Sequence, residues 1–314
     1  VFNPIELTVN EHHVNVTHAD KTGIEALVKE RITMKYIMDA RGRVKEIQYV
    51  ELNSRSYMTH ESNAKNIDYL NTADGFTLTV NSPQDFSNVF EVTEAQVQLR
   101  WKEIPFEEFQ FNDNRQKAIL QNQEGDAYEA VLEIVKPTVP REDAVLPGRE
   151  ERFIPYLEDT EFIKPSAPVI RKKLEEIQEG EENPYRLAQK LLLWVYENVK
   201  VEYNAETLTG PQVLERKRGK CSEYTSLFAS LSRAAGIPTR VVFGEATTGK
   251  VWVGHLWCEV WLGDWVAVDA AAGVFVNSPS HLKFIDSADL KGTQNIRWRL
   301  VDNLSIEILN FKEE

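Results

Sequence analysis

Two rhythms of apolar residues divide this chain. Up to about residue 136, Val, Ile, Thr and Tyr recur with polar partners in short runs. These are HVNVTH, RITMKYIMD, RVKEIQYVEL, GFTLTV, VFEVTEAQVQLRW and AYEAVLEIVK. Alternation turns one side of each run towards a core and the other towards water, which is strand patterning. Turn signals such as Asp39-Ala40-Arg41-Gly42 and Asp74-Gly75 separate several of the runs. Short strands of this kind pack as a sandwich or open barrel, so a β-rich N-terminal domain is expected over residues 1–136. Pro137, Pro140, Pro147, Pro155, Pro165 and Pro168 follow and discourage regular structure. They predict a linker over 137–165 and a second domain over 166–314.

In that second part the period changes to that of helices. Ser166 is placed to cap a helix running through Ile177 and ending near Gly180. Asn183-Pro184 is a good N-cap and first-turn pair for another. Ala188, Leu191, Leu192, Val195 and Val199 give the second helix one apolar face. From Cys221 to Ala235, Tyr224, Leu227, Phe228, Leu231 and Ala234 again follow helical spacing, with Gly236 and Pro238 as stop signals. KVWVGHLWCEVWL, a Gly263-Asp264 turn and WVAVDA then read as a hairpin, and IRWRLVDNLSIEILNF as one or two closing strands. The fold class is α+β.

Composition narrows the function classes. With 314 residues, 42% hydrophobic and 27% charged, the chain is long enough for two domains and can bury a sizeable core. It holds no apolar run long enough to span a bilayer. A net charge of −13 disfavours nucleic acid and anionic membrane surfaces as partners. Two cysteines make no disulfide framework, and no metal-ligand spacing or Gly-rich phosphate loop occurs. Neither cofactor nor metal is expected. His12 and His13 alternate on one strand, where a surface role is the default. Val1 stands where Met would begin a new chain, which leaves open a removed signal and a secreted or periplasmic location.

Candidate chemistry gathers at Cys221, His255 and Asp269. A thiol in the first turn of a helix feels the positive end of the helix dipole, and Arg218 and Lys220 add charge nearby. The predicted hairpin can bring Asp269 beside His255, where a carboxylate would orient the ring. Any one of these residues alone has a commoner structural use. Together they suggest an activated thiol, its base and an orienting carboxylate. Cys258 falls on the opposite strand face from His255 and is read as core. Trp257 and Trp261 share the face of His255 and could wall a cleft.

The segment RKRGKCSEYTSLFASLSRAAGIPTRVVFGEATTGKVWVGHLWCEVWLGDWVAVDA resembles the core of the transglutaminase-like superfamily, which also holds related cysteine peptidases and amidases. The resemblance runs from about Ser166 to Gly273. It implies a papain-like core, with a Cys-bearing helix packed on an antiparallel sheet. It assigns Cys221 as nucleophile, His255 as general base and acid, and Asp269 as orienter. Tyr203 is the nearest upstream candidate to complete an oxyanion hole. Bacterial members often carry a β-rich region ahead of the core, which fits the order here. Many relatives follow the Asp with Pro-Thr, whereas here Ala270-Ala271-Ala272-Gly273 follows. The expected activity is acyl transfer from an amide of a peptide or protein substrate through a thioester, resolved by water. The alternatives are a protein-glutamine transglutaminase and a non-catalytic binding module on the same fold. The sequence does not set the oligomeric state.

Overall fold

The computed structural model describes residues 6–10, 13–18, 23–28, 32–38, 44–51, 54–59, 79–81, 86, 89, 91–138, 144–148, 150–202, 207–247, 251–300 and 303–313. The chain forms two compact units, Val1–Thr77 and Leu78–Glu314. In the first, β1 (Glu6–Asn10), β2 (His13–His18), β3 (Gly23–Val28), β4 (Ile32–Met38), β5 (Val44–Glu51) and β6 (Ser54–Thr59) make one sheet, ordered β2-β1-β3-β4-β5-β6. β1 and β3 are parallel and the other neighbours antiparallel. All six strands pair as one sheet, in the region expected to be β-rich.

The second unit begins with β7 (Thr79–Asn81), β8 (Val92–Lys102), β9 (Gln116–Glu124) and β10 (Ala127–Val135). Next come α1 (Pro168–Gln178), α2 (Pro184–Asn198), β11 (Lys200–Val201), α3 (Gly210–Arg216), β12 (Arg218–Gly219) and α4 (Cys221–Ala234). It closes with β13 (Thr239–Thr247), β14 (Val251–Trp261), β15 (Trp265–Asp269), β16 (Val274–Phe275), β17 (His281–Ser287), α5 (Gln294–Leu300) and β18 (Leu304–Glu313).

The division after Thr77 falls well ahead of the boundary expected at 136. Its cause is long-range pairing. β8 runs antiparallel to β18 along almost its whole length, so the last strand of the chain draws β8, β10 and β9 into the second unit as the sheet β18-β8-β10-β9. β9 carries no clear alternation and is mostly exposed. It forms because the turn at Gly125 folds it back onto β10, and no apolar pattern announces it.

The described part of the Pro-rich stretch after residue 150 also packs. A 3₁₀ turn over Glu151–Tyr156 buries Phe153 with its ring 4.8 Å from that of Trp261. Ile163 is fully buried, and the Glu158 carbonyl accepts from the Arg233 guanidinium at 2.9 Å. α1 starts one residue later than its cap signal suggests, with Ala167 at the N-cap position. The Ser166 hydroxyl donates to Asp159 at 2.7 Å instead. Asn183 caps α2 as expected, its side chain accepting from the Arg186 amide at 3.1 Å. Part of the predicted closing strand is the helix α5, whose Ile296 and Leu300, one turn apart, are both buried.

The site is built on the sheet β16-β15-β14-β13-β17, which β7 joins by pairing with β14. α4 packs against it and is almost wholly buried. The Thr225 hydroxyl donates to the Leu256 carbonyl at 3.2 Å, and the Tyr224 hydroxyl donates to the Val199 carbonyl at the end of α2. Gly236 ends α4 with φ of 78°, a conformation that favours glycine. Among the described residues no helix is long and apolar enough to cross a membrane.

Candidate active site

Cys221 is the first residue of α4 and is half-buried. The turn ahead of it is held by Glu223, whose carboxylate accepts from the Lys220 amide at 2.9 Å and from the Leu208 amide at 3.1 Å. Burial pushes the Glu223 carboxyl upward against the pull of these donors. The motif Gly219-Lys220-Cys221 now has a steric cause. A Cβ at Gly219 would lie 2.1 Å from Glu223 Cβ, so only glycine lets this carboxylate fold back over the turn.

β14 and β15 bring the other two candidates to the thiol. His255 Nε2 lies 2.8 Å from Asp269 Oδ2, and the imidazole is close enough to the Cys221 thiol for each to shift the other's pKa. Because Nε2 serves Asp269, Nδ1 is the ring nitrogen left for Cys221. Asp269 Oδ1 accepts from the Ala271 and Ala272 amides at 2.9 and 3.2 Å. The Ala-Ala-Ala-Gly segment therefore closes a turn around the carboxylate that fixes His255.

The electrostatics are consistent along this line. Burial opposes ionisation of Cys221, yet the bond and charge of His255, the Arg297 guanidinium and the Leu256 backbone hold its pKa below the ordinary thiol value. Burial also opposes charge on His255, but Asp269 and Cys221 together raise its pKa. Asp269 is held well below the usual carboxylate range by the two histidines despite its burial. The arrangement favours a thiolate beside an imidazolium. Cys258 behaves oppositely. It is buried on the α4 side of the sheet, where burial pushes its thiol far up.

Several residues around this line were not legible locally. His281 Nε2 also approaches Asp269 Oδ2, at 3.2 Å. Strand register places it there: Gly244 pairs with His255 and Ala246 with His281, so both histidines share one sheet face. Glu245 is fully buried with neither carboxylate oxygen hydrogen-bonded. Burial raises its pKa well above normal, with Arg297 and His255 acting against the shift. The cation acting on Cys221 from α5 is Arg297. Arg218, expected in that role, is exposed and ion-paired with Glu202 at 3.0 Å. A carboxylate in the third position of a helix that reaches back to its start is a known capping signal and could have exposed Glu223. His281, Glu245 and Arg297 carry no comparable signal.

Trp257 stacks near His255, with ring centroids 6.2 Å apart and planes at 24°. Trp261 shares the face but lies six residues along the strand, roughly 20 Å at ~3.3 Å per residue. It packs with Phe153 and Trp265 instead. Tyr203 lies outside the described residues. His255, Asp269 and His281 have ligand-type atoms within 4.8 Å of one another. The carboxylate lies at hydrogen-bonding distance from each imidazole, and this contact accounts for the cluster without an ion.

Residues 171–270 match the family described as the transglutaminase-like superfamily. An uncharacterized protein of Haemophilus influenzae is 32% identical over 95 residues, which cover 28% of this chain. The chain spans about a quarter of that relative's length (25%). Among solved structures, a candidate cysteine protease from Cytophaga hutchinsonii aligns at TM-score 0.46 and 15% identity, covering 76% of this chain and 89% of that one. The periplasmic domain of TgpA from Pseudomonas aeruginosa, bound to ethylmercury, aligns at 0.41 and 16%, covering 63% and 90%. Red sea bream transglutaminase aligns at 0.29 and 10%, covering 62% and 48%.

Proposed function

Starting from a transglutaminase-like core over residues 171–270, we propose that the chain is a thiol-dependent acyl-transfer enzyme that hydrolyses amide bonds of peptides or proteins. The observation that carries this reading is the Cys221–His255–Asp269 line, with the thiol acid-shifted and the imidazole base-shifted. The Cys221 thiolate attacks the amide carbonyl carbon. The proton on His255 passes to the departing nitrogen, the C–N bond breaks, and a thioester remains on Cys221. Neutral His255 then takes a proton from water as the water attacks the thioester, releasing acid and thiolate. Asp269 holds the ring in orientation and stabilises its charged form throughout.

Water is proposed as acceptor because hydrolysis needs no second specific site. Glutamine-containing peptides with and without a labelled primary amine, and Cys221→Ala as the blank, test the choice. The expected result is slow amide hydrolysis with little gain from added amine. Efficient amine incorporation that vanishes in Cys221→Ala would replace hydrolysis by transamidation. No turnover of any amide would leave the binding-module alternative in its place.

A further inference from the structure

We infer that His281 is a positioning residue of this site: it grips the Asp269 carboxylate beside His255 and so sets how firmly His255 holds its proton. The inference rests on the Cys221–His255–Asp269 reading above. His281 is buried, and its Nε2 lies 3.2 Å from the same Oδ2 that serves His255. An ionised carboxylate only accepts, and this one already receives the His255 ring and two backbone amides. Nε2 of His281 must therefore carry a hydrogen and supply the fourth donor.

The opposite side of the ring is anchored as well. His281 Nδ1 lies 3.0 Å from the Ser280 hydroxyl, which lies 2.8 Å from the Ser278 hydroxyl, which donates to the Val89 carbonyl at 2.6 Å. Since the Ser278 hydrogen goes to Val89, Ser278 accepts from Ser280, and Ser280 must then accept from Nδ1. Completing every contact thus calls for hydrogens on both ring nitrogens, an imidazolium. Asp269 favours that charge, but burial, His255 and the Arg115 guanidinium, which donates to the His281 and Ser278 carbonyls at 2.6 and 3.2 Å, oppose it and hold the His281 pKa below the ordinary histidine value. In both states the Nε2 hydrogen points at Asp269, so the grip survives titration of Nδ1.

The consequence for His255 has one sign in both states. Withdrawing a donor from Asp269 makes the carboxylate a stronger partner for the His255 imidazolium, and withdrawing a cation adds to this. Loss of His281 therefore raises the proton affinity of His255. Among the other charged groups, Cys221 and Glu245 also interact electrostatically with that ring, and Arg297 acts on both of those groups.

Two measurements test the inference. The first is the pH dependence of Cys221 alkylation, followed by peptide mapping, in wild type, His281→Ala and His281→Gln. Folding is checked by denaturant midpoint. The limb that reports loss of the His255 proton should move up by about one pH unit in His281→Ala. It should move less in His281→Gln, whose amide can still donate to Asp269. A limb at the wild-type position in folded variants would overturn the inference. A wild-type profile with a single ordinary thiol titration would instead overturn the Cys221–His255 reading itself. The second measurement needs no folded variant. In ¹⁵N-histidine spectra of wild type, His281 Nε2 should stay protonated across roughly pH 5 to 9. A bare Nε2 at neutral pH would overturn the inference.

Discussion

The main sheet carries two buried clusters of charge, and they are built on different terms. In the first, Lys283 sits among Glu259, Asp286 and Asp113 at 3.1, 2.8 and 3.3 Å. Arg240 bridges Glu259 and Asp286 at 2.6 and 3.2 Å and lies over the Trp265 ring at 4.2 Å. Every charge there meets its opposite. Burial opposes ionisation, yet Glu259 is held below and Lys283 above its ordinary pKa. Near Cys221 the matching is incomplete. One carboxylate, Asp269, is shared by two imidazoles, and another, Glu245, has no hydrogen-bond partner at all. A fully paired cluster fixes the sheet, whereas an unevenly paired one leaves a thiol and an imidazole able to exchange a proton. The contrast sets a structural use of buried charge beside the reactive use proposed for Cys221 and His255.

Substitution at the thiol end should give the largest effect. Cys221→Ala and His255→Ala should each lower turnover by about 10⁴-fold or more, with Asp269→Ala leaving a weaker residual activity. Denaturant midpoints for Cys221→Ala should stay near wild type, because one half-buried sulfur is lost. Equal activity in wild type and Cys221→Ala would dissolve the contrast.

At the Lys283 cluster the expected response is in stability. Lys283→Met leaves three carboxylates with Arg240, paired to Glu259 and Asp286, and the buried Arg115 as neighbouring cations, and should cost about 3–5 kcal/mol of unfolding free energy. The acid shift of Cys221 should be unchanged in the folded fraction. A Lys283→Met protein of normal stability with an altered Cys221 profile would mean that the clusters act as one.

Glu245 gives the smallest effect and the most specific sign. Its native pKa is raised, so the native state binds more protons than the unfolded state at any pH between the two values. Stability contributed by Glu245 therefore falls as pH rises from about 4.3 towards the native value. Glu245→Gln should remove that slope and gain on wild type progressively between about pH 5 and 8. Parallel stability curves would mean that Glu245 is ionised and paired in the native protein.

Much of the reactive end was legible because its signals are local. Gly219 before Cys221, Gly236 and Pro238 after the helix, and the strand patterns carrying His255 and Asp269 need only short windows of sequence. The residues that complete it depend on register. His281 reaches Asp269 because β17 pairs with β13 and not through any motif of its own. Glu245 looks like any polar strand residue until the sheet buries it. Arg297 was hidden by reading α5 as a strand. The same limit applies to the fold: the pattern of β8 marked it as a strand, but β18, some two hundred residues on, decided which unit it joins. Non-local pairing is what short-range periodicity cannot carry.

The central claim is that Cys221 rests as a thiolate paired with His255, and competitive alkylation of the two cysteines tests it most directly. At about pH 6, well below the ordinary thiol pKa of ~8.5, a limiting thiol reagent followed by peptide mapping should label Cys221 and leave Cys258 unmodified. His255→Ala should move the Cys221 profile up towards the ordinary value. Equal labelling of both cysteines, or a Cys221 profile centred near 8.5 in wild type and unmoved by His255→Ala, would contradict the claim.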